Sequence, residues 1–441
     1  MSTFSELNLT KQLLRALNES GFETATPIQE KAFPVIMSGK DTIGIAQTGT
    51  GKTFAYLLPV LRQLTFSDQR HPRVLIILPT RELVVQVVGE IEKLTKYMSV
   101  RVAGVFGASN INKQKQQVYD GLDILVATPG RLIDLTLSRT LQLGSVKKLI
   151  IDEVDEMLNL GFRAQLLQVL DALPQKRQNI MFSATMPEEV ETLIGKYFHE
   201  PQYVELVSRG TPLEKIIQQA YDVPNFYTKV NLLKWMLSTD KTMTRVLLFV
   251  KNKKVADELE LEIPEFSDQI SVIHSNKSQP HRFNAVKQFQ EGSMRLLIAT
   301  DVIARGLDIN EVTHVINFDL PKEPGSYIHR IGRTGRADKK GIAISFVIPK
   351  EIAYQEAIEN LMGKEIEMLE IPEAVEISDE LRQDEIPVKR DKSLKKIKPL
   401  ETPTGAFHEK KAKNKKVQLG GKRRQEKLKR IIEKRNSKRK F

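Results

Sequence analysis

Short apolar runs alternate with longer amphipathic stretches along most of this chain, and this alternation restricts the possible folds more than any other feature. Runs such as VLIILP (74–79) and KLIIDE (148–153) are apolar on both faces, as buried parallel strands are. The strand candidates are residues 42–46, 74–78, 100–106, 124–127, 149–151, 180–182, 246–250, 270–274, 296–299, 314–318 and 342–348. Helix-like stretches lie between them at 82–97, 164–172, 253–261 and 279–290. The pattern predicts an α/β fold with parallel sheets covered by helices on both faces.

The two halves of the chain repeat this plan without obvious sequence repetition. A chain of 441 residues is too long for one ordinary core and fits two domains and an appendage. Residues 208–215 (SRGTPLEK) contain Gly and Pro and lack periodicity, which is typical of a linker. The predicted boundaries are therefore a first domain at 1–207, a linker at 208–216, a second domain at 217–370 and a tail at 371–441.

The tail carries most of the basic charge. Residues 388–441 contain 22 Lys and Arg against 5 Asp and Glu, a net charge of +17 in a chain of formal charge +12. The rest is therefore slightly acidic, at −5. Such a segment attracts polyanions, of which nucleic acid is the usual one, although a solubilising tail or a localisation signal is an alternative. We expect the tail, acidic at 373–385 and then basic, to be disordered or partly helical until it binds.

Composition excludes several classes of protein. The sequence has no cysteine, so disulfides and thiolate zinc sites are absent. No apolar run approaches the ~20 residues of a membrane span, and the first residues, MSTFSELNLT, lack the pattern of a signal peptide. We therefore expect a soluble cytoplasmic protein without membrane contact.

The segment AQTGTGKT (46–53) follows a predicted strand and leads into a plausible helix. Gly49 and Gly51 allow the backbone to curl around a triphosphate, Lys52 places a charge on the β and γ phosphates, and Thr53 offers a hydroxyl to Mg²⁺. The general P-loop pattern opens with Gly, whereas this segment opens with Ala. The predicted nucleotide-binding residues here are Ala46, Gln47, Thr48, Gly49, Thr50, Gly51, Lys52 and Thr53.

A carboxylate group ends a later strand, at LIIDEVD. Asp152 is predicted to hold Mg²⁺ through water, because Mg²⁺ is a hard ion that keeps most of its waters. Glu153 is positioned to orient or deprotonate the attacking water. An acidic cluster at a strand end is otherwise a solvated turn, but one that follows a P-loop in an α/β domain indicates a magnesium site.

The second half contributes HRIGRTGR (329–336), in which three arginines recur every third residue. Arginine donors suit a transferring phosphoryl group. If Arg333 and Arg336 reach the γ-phosphate only when the domains close, hydrolysis depends on closure. A loop that binds phosphate or RNA backbone in another role is the alternative on spacing alone.

Taken together, these segments resemble the DEAD-box RNA helicases over residues 4–369. GFETATPIQ (21–29) is similar to the family's adenine-reading Q motif, and AQTGTGKT to its P-loop, whose first position is Ala. PTRELVVQ (79–86), TPGR (128–131), SAT (183–185), LLFV (247–250), QPHR (279–282), ATDVIARGLDI (299–309) and HRIGRTGR resemble the later motifs in order.

The resemblance implies two tandem RecA-like parallel-sheet domains and a role for each motif. Gln29 and Phe4 would recognise adenine, and Gly306 and Asp308 would line the nucleotide. The implied RNA-contacting residues are Pro79, Thr80, Arg81, Gly107, Thr128, Arg131, Arg282 and Thr300. The residues implied to couple ATP state to unwinding are Asp155, Ser183, Thr185 and His329.

Two positions depart from the family pattern. The namesake tetrad reads Asp-Glu-Val-Asp, and Val154 adds two methyl groups that would cost ~1–3 kcal/mol in a site too small for them. Because Asp152, Glu153 and Asp155 are kept, we expect ATPase activity to be retained. A pair of family glycines reads Gly107-Ala108, and the added methyl group would loosen one contact with the RNA backbone.

The predicted protein is an ATP-dependent RNA helicase that uses ATP and Mg²⁺, with little sequence preference because its RNA motifs suit phosphate and sugar contacts. We expect a monomeric, bacterial-type core and a tail that binds RNA, protein or both. One alternative is an RNA clamp that hardly hydrolyses ATP, and another is a DNA helicase with related domains. Ribosome assembly, RNA decay and cold adaptation are all open as pathways.

Overall fold

The computed structural model describes residues 2–46, 49–205, 216–301, 309, 312–335 and 341–385. Within these residues the chain forms two lobes, each built on one parallel sheet. We name residues 2–205 the first lobe and 216–385 the second lobe. No helix in the described ranges combines the length and the apolarity needed to cross a bilayer.

Both sheets have the same strand order. The strands of the first lobe are β1 (Thr42–Ile45), β2 (Val74–Ile77), β3 (Val102–Val105), β4 (Ile124–Ala127), β5 (Lys148–Ile151), β6 (Gln178–Ser183) and β7 (Gln202–Glu205). Those of the second lobe are β8 (Ile216–Asp222), β9 (Val246–Val250), β10 (Ile270–Ile273), β11 (Leu296–Thr300), β12 (His314–Asn317), β13 (Gly341–Val347) and β14 (Glu367–Leu369). The orders β3-β4-β2-β5-β6-β1-β7 and β10-β11-β9-β12-β13-β8-β14 are identical when the strands are counted within each lobe. The predicted α/β class with two tandem parallel sheets is confirmed.

All predicted strands coincide with observed ones, whereas β7, β8 and β14 are not predicted by the sequence pattern. β7 and β14 are edge strands with mostly exposed side chains, and β8 alternates buried and exposed residues beside one of those edges. A search for runs that are apolar on both faces misses such strands, because only the central strands of a covered sheet are buried on both sides.

Helices cover both faces of each sheet. In the first lobe they are α1 (Lys11–Glu19), α2 (Pro27–Met37), α3 (Lys52–Arg62), α4 (Arg81–Leu94), α5 (Ile111–Tyr119), α6 (Pro129–Leu137), α7 (Val154–Asn159), α8 (Arg163–Ala172) and α9 (Glu188–Tyr197). In the second lobe they are α10 (Phe226–Thr239), α11 (Lys253–Glu262), α12 (Gln279–Gln290), α13 (Pro324–Ile331) and α14 (Ile352–Met362). Alternate residues of β2 face opposite clusters of the core: Val74 and Ile76 pack with α2 and α3, and Leu75 and Ile77 with α6 and α8.

Residues 371–385, which we name the acidic segment, correct the predicted boundary of the disordered tail. The segment packs against the second lobe through buried Val375 and through Arg382, whose guanidinium lies 2.9 Å from Glu258 and over the ring of Phe226. The Glu385 carboxylate accepts a hydrogen bond of 2.8 Å from the Phe226 amide at the start of α10. Composition suggests disorder, but these pairings with the lobe offset the segment's own charge. The remaining tail and linker residues 208–215 lie outside the described residues, and Ile216 opens β8.

Candidate functional site

Most predicted residues of the first lobe lie at one edge of the sheet, where the carboxyl ends of the parallel strands meet. The residues that end or closely follow β1 to β6 in this way are Ala46, Pro79, Gly107, Thr128, Asp152 and Ser183. Ligands of open α/β sheets bind at this edge. The topology therefore brings together motifs that are up to 137 positions apart in the sequence, from Ala46 to Ser183.

The P-loop leaves β1 and enters α3 at Lys52. Gly49 and Gly51 have φ angles of 82° and 88°, in the left-handed region that glycine adopts without strain. A Cβ on Gly51 would also lie 2.5 Å from Gln29 Nε2, so any larger residue would displace the Gln29 side chain. Gln47 and Thr48, predicted to bind nucleotide, lie outside the described residues.

Lys52 and Asp152 face each other at the centre of the site. Lys52 Nζ lies 3.9 Å from Asp152 Oδ1, and both side chains are buried. Burial raises the pKa of Asp152 to about 6, although the Lys52 charge opposes the shift. Lys52 Nζ has no hydrogen-bond partner among the described residues.

That buried ammonium group, which faces one carboxylate but makes no hydrogen bond in the described residues, fits a phosphate ligand. The described residues contain no cluster of three or more metal-binding side chains. Mg²⁺ is commonly held by one or two carboxylates together with substrate phosphates, and Asp152 offers one such carboxylate beside the P-loop.

Glu153 adopts an unusual backbone conformation between β5 and α7. Its φ is 53°, in the left-handed region, and its side chain is buried. Its amide donates a hydrogen bond of 2.9 Å to Asp152 Oδ1. A non-glycine residue in this region carries strain of about 1–3 kcal/mol, and such strain clusters at functional sites. The turn therefore fixes both carboxylates relative to the P-loop.

The Q-like segment is tied directly to the P-loop. Gln29 Nε2 donates to the Gly51 carbonyl at 3.1 Å, while Gln29 Oε1 accepts from the Thr26 amide at 2.9 Å. Phe4 is buried in the core of the first lobe, and its amide donates to the Glu23 carbonyl at 3.2 Å. These contacts position the segment, while the adenine contacts of Gln29 and Phe4 stay predictions.

Asp155 contacts residues of both lobes. Its Oδ2 accepts hydrogen bonds from the amide and the hydroxyl of Thr185, at 2.9 and 2.8 Å. His329 Nε2, from α13 of the second lobe, lies 3.4 Å from the same oxygen. Burial raises the pKa of Asp155, but the contacts with His329 outweigh it and lower the pKa well below its usual value. Ser183 holds the turn by donating to the Thr185 carbonyl at 2.6 Å.

All six first-lobe residues predicted to contact RNA line one open groove of about 590 Å³. They are Pro79, Thr80, Arg81, Gly107, Thr128 and Arg131. The groove's other lining residues, which were not predicted to contact RNA, are Glu82, Ala108, Gly130, Asp134, Leu160 and Phe162. Ala108, noted above as a departure from the family pattern, has a φ of 57°.

Arg282 has different surroundings from the other residues predicted to contact RNA, and that contact stays a prediction. It is buried on the first turn of α12, with its Nη1 atom 2.7 Å from Oε1 of Glu82, which lies on α4 of the first lobe. A buried guanidinium needs a counterion, and Glu82 supplies it across the lobes. In this arrangement Arg282 contacts the first lobe instead of a surface open to RNA. Thr300 ends β11 and is half-buried.

The arginines of the second lobe have different surroundings. Arg330 donates to both carboxylate oxygens of Asp301, at 2.6 and 2.7 Å, and to Asn317 Oδ1 at 3.0 Å. It therefore ties α13 to the ends of β11 and β12, a structural role that the sequence pattern does not distinguish. Arg333 is buried just after α13. Gly306, Asp308 and Arg336 lie outside the described residues.

Comparison with known proteins identifies related chains. Residues 26–193 match the family model described as DEAD/DEAH box helicase, and residues 228–338 match that of the helicase conserved C-terminal domain. The ATP-dependent RNA helicase CshA of Listeria monocytogenes is 41% identical over 375 residues, which are 84% of this chain and 71% of the relative. The DEAD-box ATP-dependent RNA helicase CshA of Bacillus cereus is 39% identical over 372 residues, covering 84% and 70% of the two chains.

Solved structures support the tandem RecA-like fold. S. cerevisiae Dbp5 bound to RNA and ADP BeF3 matches with a TM-score of 0.76 and 32% identity, over 84% of this chain and 96% of that one. A DEAD box protein from the hyperthermophile Methanococcus jannaschii matches with a TM-score of 0.52 and 35% identity, over 83% and 99%.

Proposed function

Because the chain belongs to the DEAD-box family of ATP-dependent RNA helicases, we propose that it hydrolyses ATP efficiently only when RNA draws its two lobes together. Each cycle would separate a short RNA duplex or remodel an RNA–protein complex. The contact of Asp155 with Thr185 and His329 is the observation that carries this proposal, since it joins the second lobe to the strand end that bears Asp152 and Glu153.

The ATPase site would divide its work among a few side chains. Lys52 binds the β and γ phosphates, and its buried ammonium group, which makes no hydrogen bond in the described residues, supports this role. Thr53, and Asp152 through water, would hold Mg²⁺, which neutralises phosphate charge when bound. Glu153 orients or deprotonates the attacking water. Arg333 and Arg336 stabilise the charge that develops on the phosphoryl group, so hydrolysis requires the second lobe.

The groove of the first lobe would hold one RNA strand by its backbone. Thr80, Arg81, Thr128 and Arg131 offer hydroxyl, guanidinium and amide donors suited to phosphates and sugars, and such contacts carry little sequence information. Arg131 is already oriented, since its Nη1 donates to Gln114 Oε1 at 2.6 Å. The basic tail would add a second attachment to RNA outside the groove.

The setting is proposed from sequence alone. We place the protein in the cytoplasm as a monomeric core, acting on structured RNA such as ribosomal RNA, with further protein partners bound through the tail. Crosslinking the protein to RNA in its own cells and sequencing the captured RNA would separate ribosome assembly from RNA decay and cold adaptation.

Phosphate release tests the proposal directly. RNA should stimulate it strongly and DNA weakly, and Glu153→Gln should reduce the stimulated rate by ~10²–10⁴-fold, the usual contribution of a general base. Lys52→Ala should abolish it, and Arg333→Ala should cost ~10³-fold or more. Equal stimulation by DNA would indicate a DNA helicase, and tight ATP-dependent RNA binding with negligible turnover would indicate the clamp.

A further inference from the structure

Tyr56 brings a buried polar group to the nucleotide site that the proposed chemistry does not use. It lies on α3 four residues after Lys52, on the same face of the helix. The side chain is fully buried. Its hydroxyl has no hydrogen-bond partner of ordinary length and direction among the described residues.

The ring of Tyr56 is fixed by its packing. Its centroid lies 5.6 Å from that of Phe182 on β6. Phe182 in turn fills the space beside Gly44, where a Cβ atom would lie 2.3 Å from the Phe182 ring. Because both rings are held, the direction of the Tyr56 hydroxyl is set by the core and does not depend on a flexible loop.

The polar side chains that face this hydroxyl are Thr53 and Asp152, the two residues predicted to hold Mg²⁺. A phenolic hydroxyl keeps its proton near neutral pH and is therefore available as a donor. Asp152 Oδ1 already accepts from the Glu153 amide and faces Lys52. That leaves Oδ2 for a second donor.

We propose that Tyr56 is a positioning residue whose hydroxyl donates a hydrogen bond to Asp152 when nucleotide and Mg²⁺ bind. A buried hydroxyl without a partner destabilises a fold, and phenylalanine would fill the same space without that penalty. The hydrogen bond that the Tyr56 hydroxyl donates to the Asp152 carboxylate would therefore account for a tyrosine at this position. This inference rests on the proposed function, because it requires Asp152 to serve Mg²⁺.

The test is Tyr56→Phe, which removes one oxygen atom and keeps the packing. Two readouts are needed: the melting temperature without nucleotide, and the dissociation constant of a fluorescent ATP analogue with Mg²⁺ and with EDTA. We expect the melting temperature to stay the same or to rise by about 2–4 °C, as for relief of an unpaired buried group. We expect affinity to fall ~10-fold with Mg²⁺ and not with EDTA, as for loss of a hydrogen bond to a charged acceptor.

Tyr327→Phe is the matched control in the second lobe. The Tyr327 side chain is also fully buried, but its hydroxyl donates to Gln218 Oε1 at 3.1 Å. This variant should lower the melting temperature and leave nucleotide affinity unchanged.

Two outcomes for Tyr56→Phe would overturn the inference. One is unchanged affinity in Mg²⁺, and the other is an equal loss with Mg²⁺ and with EDTA, which would indicate a purely structural role. The proposed function itself would be contradicted by a different pair of results. These are that the unmodified protein binds the analogue equally well with and without Mg²⁺, and that Lys52→Ala does not change the affinity.

Discussion

Single residues at the site carry backbone strain that the sequence does not reveal. Glu153 and Ala108 both have positive φ angles, of 53° and 57°, although neither is glycine. For Glu153 the strain accompanies a predicted catalytic side chain. For Ala108, which lines the RNA groove, the side chain offers no polar group that would account for it.

Ala108→Gly should therefore stabilise the protein. An L-residue in the left-handed region is less stable than glycine by about 1 kcal/mol, so we expect the free energy of unfolding to rise by up to that amount. Urea unfolding measures it, and RNA affinity should rise because a methyl group leaves the groove.

Ala103→Gly on β3 is the control for Ala108→Gly. Ala103 is buried and has no positive φ, so its loss should cost about 1 kcal/mol. A loss of stability in both variants would show that Ala108 is not strained.

The nucleotide site could be predicted because its residues lie in short local motifs. Contacts between residues that are far apart in the sequence could not be predicted in this way. Lys52 and Asp152 follow strands in recognisable motifs, and the structure brings them within 3.9 Å. Arg282 resembles an RNA-contacting residue, yet its partner is Glu82, 200 positions away in the sequence. No local pattern encodes that pairing, because it depends on how the lobes meet.

At the scale of elements, one buried carboxylate joins three strands of the first sheet. Asp123 lies just before β4. Its carboxylate accepts a hydrogen bond of 2.9 Å from Nη2 of Arg73, which lies just before β2. The same carboxylate accepts hydrogen bonds of 3.0 and 3.1 Å from the amide and Nε of Arg101, which lies just before β3. Burial raises the pKa of Asp123, but the hydrogen bonds from Arg101 and Arg73 outweigh it and lower the pKa below 3.8.

Asp123→Asn should therefore destabilise the first lobe in a pH-dependent way. A carboxylate with a lowered pKa in the folded state stabilises the fold above its unfolded pKa, and this contribution is lost as pH falls through the folded value. We expect a cost of about 3–5 kcal/mol near pH 7, because two arginines lose a buried partner, and a smaller cost below about pH 4. Urea unfolding at several pH values measures this.

Asp171→Asn, at an exposed pair with Lys196, should change little at any pH. A cost for Asp123→Asn that does not vary with pH would contradict the ionic role.

The acidic segment illustrates where composition misleads. Residues 371–385 are rich in Asp and Glu, which is typical of disorder, and yet they pack on α10 and α11. Only one apolar side chain of the segment, Val375, is buried, and polar contacts such as those of Arg382, Glu385 and Ser378 complete its attachment. Central strands were predictable because burial on both faces marks them, whereas attachment through single polar pairs leaves no periodic signal.

Arg382→Ala should release this segment without unfolding the lobe. The variant loses the pair with Glu258 and the contact with Phe226, together worth about 1–2 kcal/mol. Hydrogen exchange should accelerate at amides such as that of Ser378, which donates to Thr228 Oγ1 at 3.0 Å.

Asp379→Ala, at an exposed position of the same segment, should leave that protection unchanged. Equal protection in the Arg382 variant would show that the remaining contacts suffice.

For the whole molecule, the net charge of +17 on residues 388–441 predicts a salt-dependent attachment to RNA. If the tail engages six to ten phosphates, affinity should fall ~10³–10⁵-fold between 50 and 200 mM salt. Deleting these residues should weaken RNA binding and flatten its salt dependence, while ATPase activity at saturating RNA largely persists. An unchanged salt slope in the truncated protein would exclude the tether.

The two lobes meet at a second point besides Asp155 and His329, the buried pair of Glu82 and Arg282. Arg81 Nε lies 3.6 Å from the same Glu82 oxygen, so Glu82 separates two guanidinium groups that would otherwise repel each other as the lobes approach. Removing one member of a buried ion pair typically costs about 3–5 kcal/mol. Because Glu82 and Arg282 belong to different lobes, losing one of them would destabilise only the arrangement in which the lobes are in contact.

Glu82→Gln and Arg282→Gln should therefore each lower RNA affinity in the presence of an ATP analogue by more than ~10-fold, and the double variant should lose less than the sum. A double-mutant cycle measures this coupling, which we expect to exceed ~1 kcal/mol. Glu189→Gln, at the exposed Arg163 pair within the first lobe, is the control and should have no effect. If Arg282 instead contacted only RNA, the losses of RNA affinity in the two single variants would add in the double variant. Lobe closure would then be stabilised by the Asp155 contact and by the bound ligands.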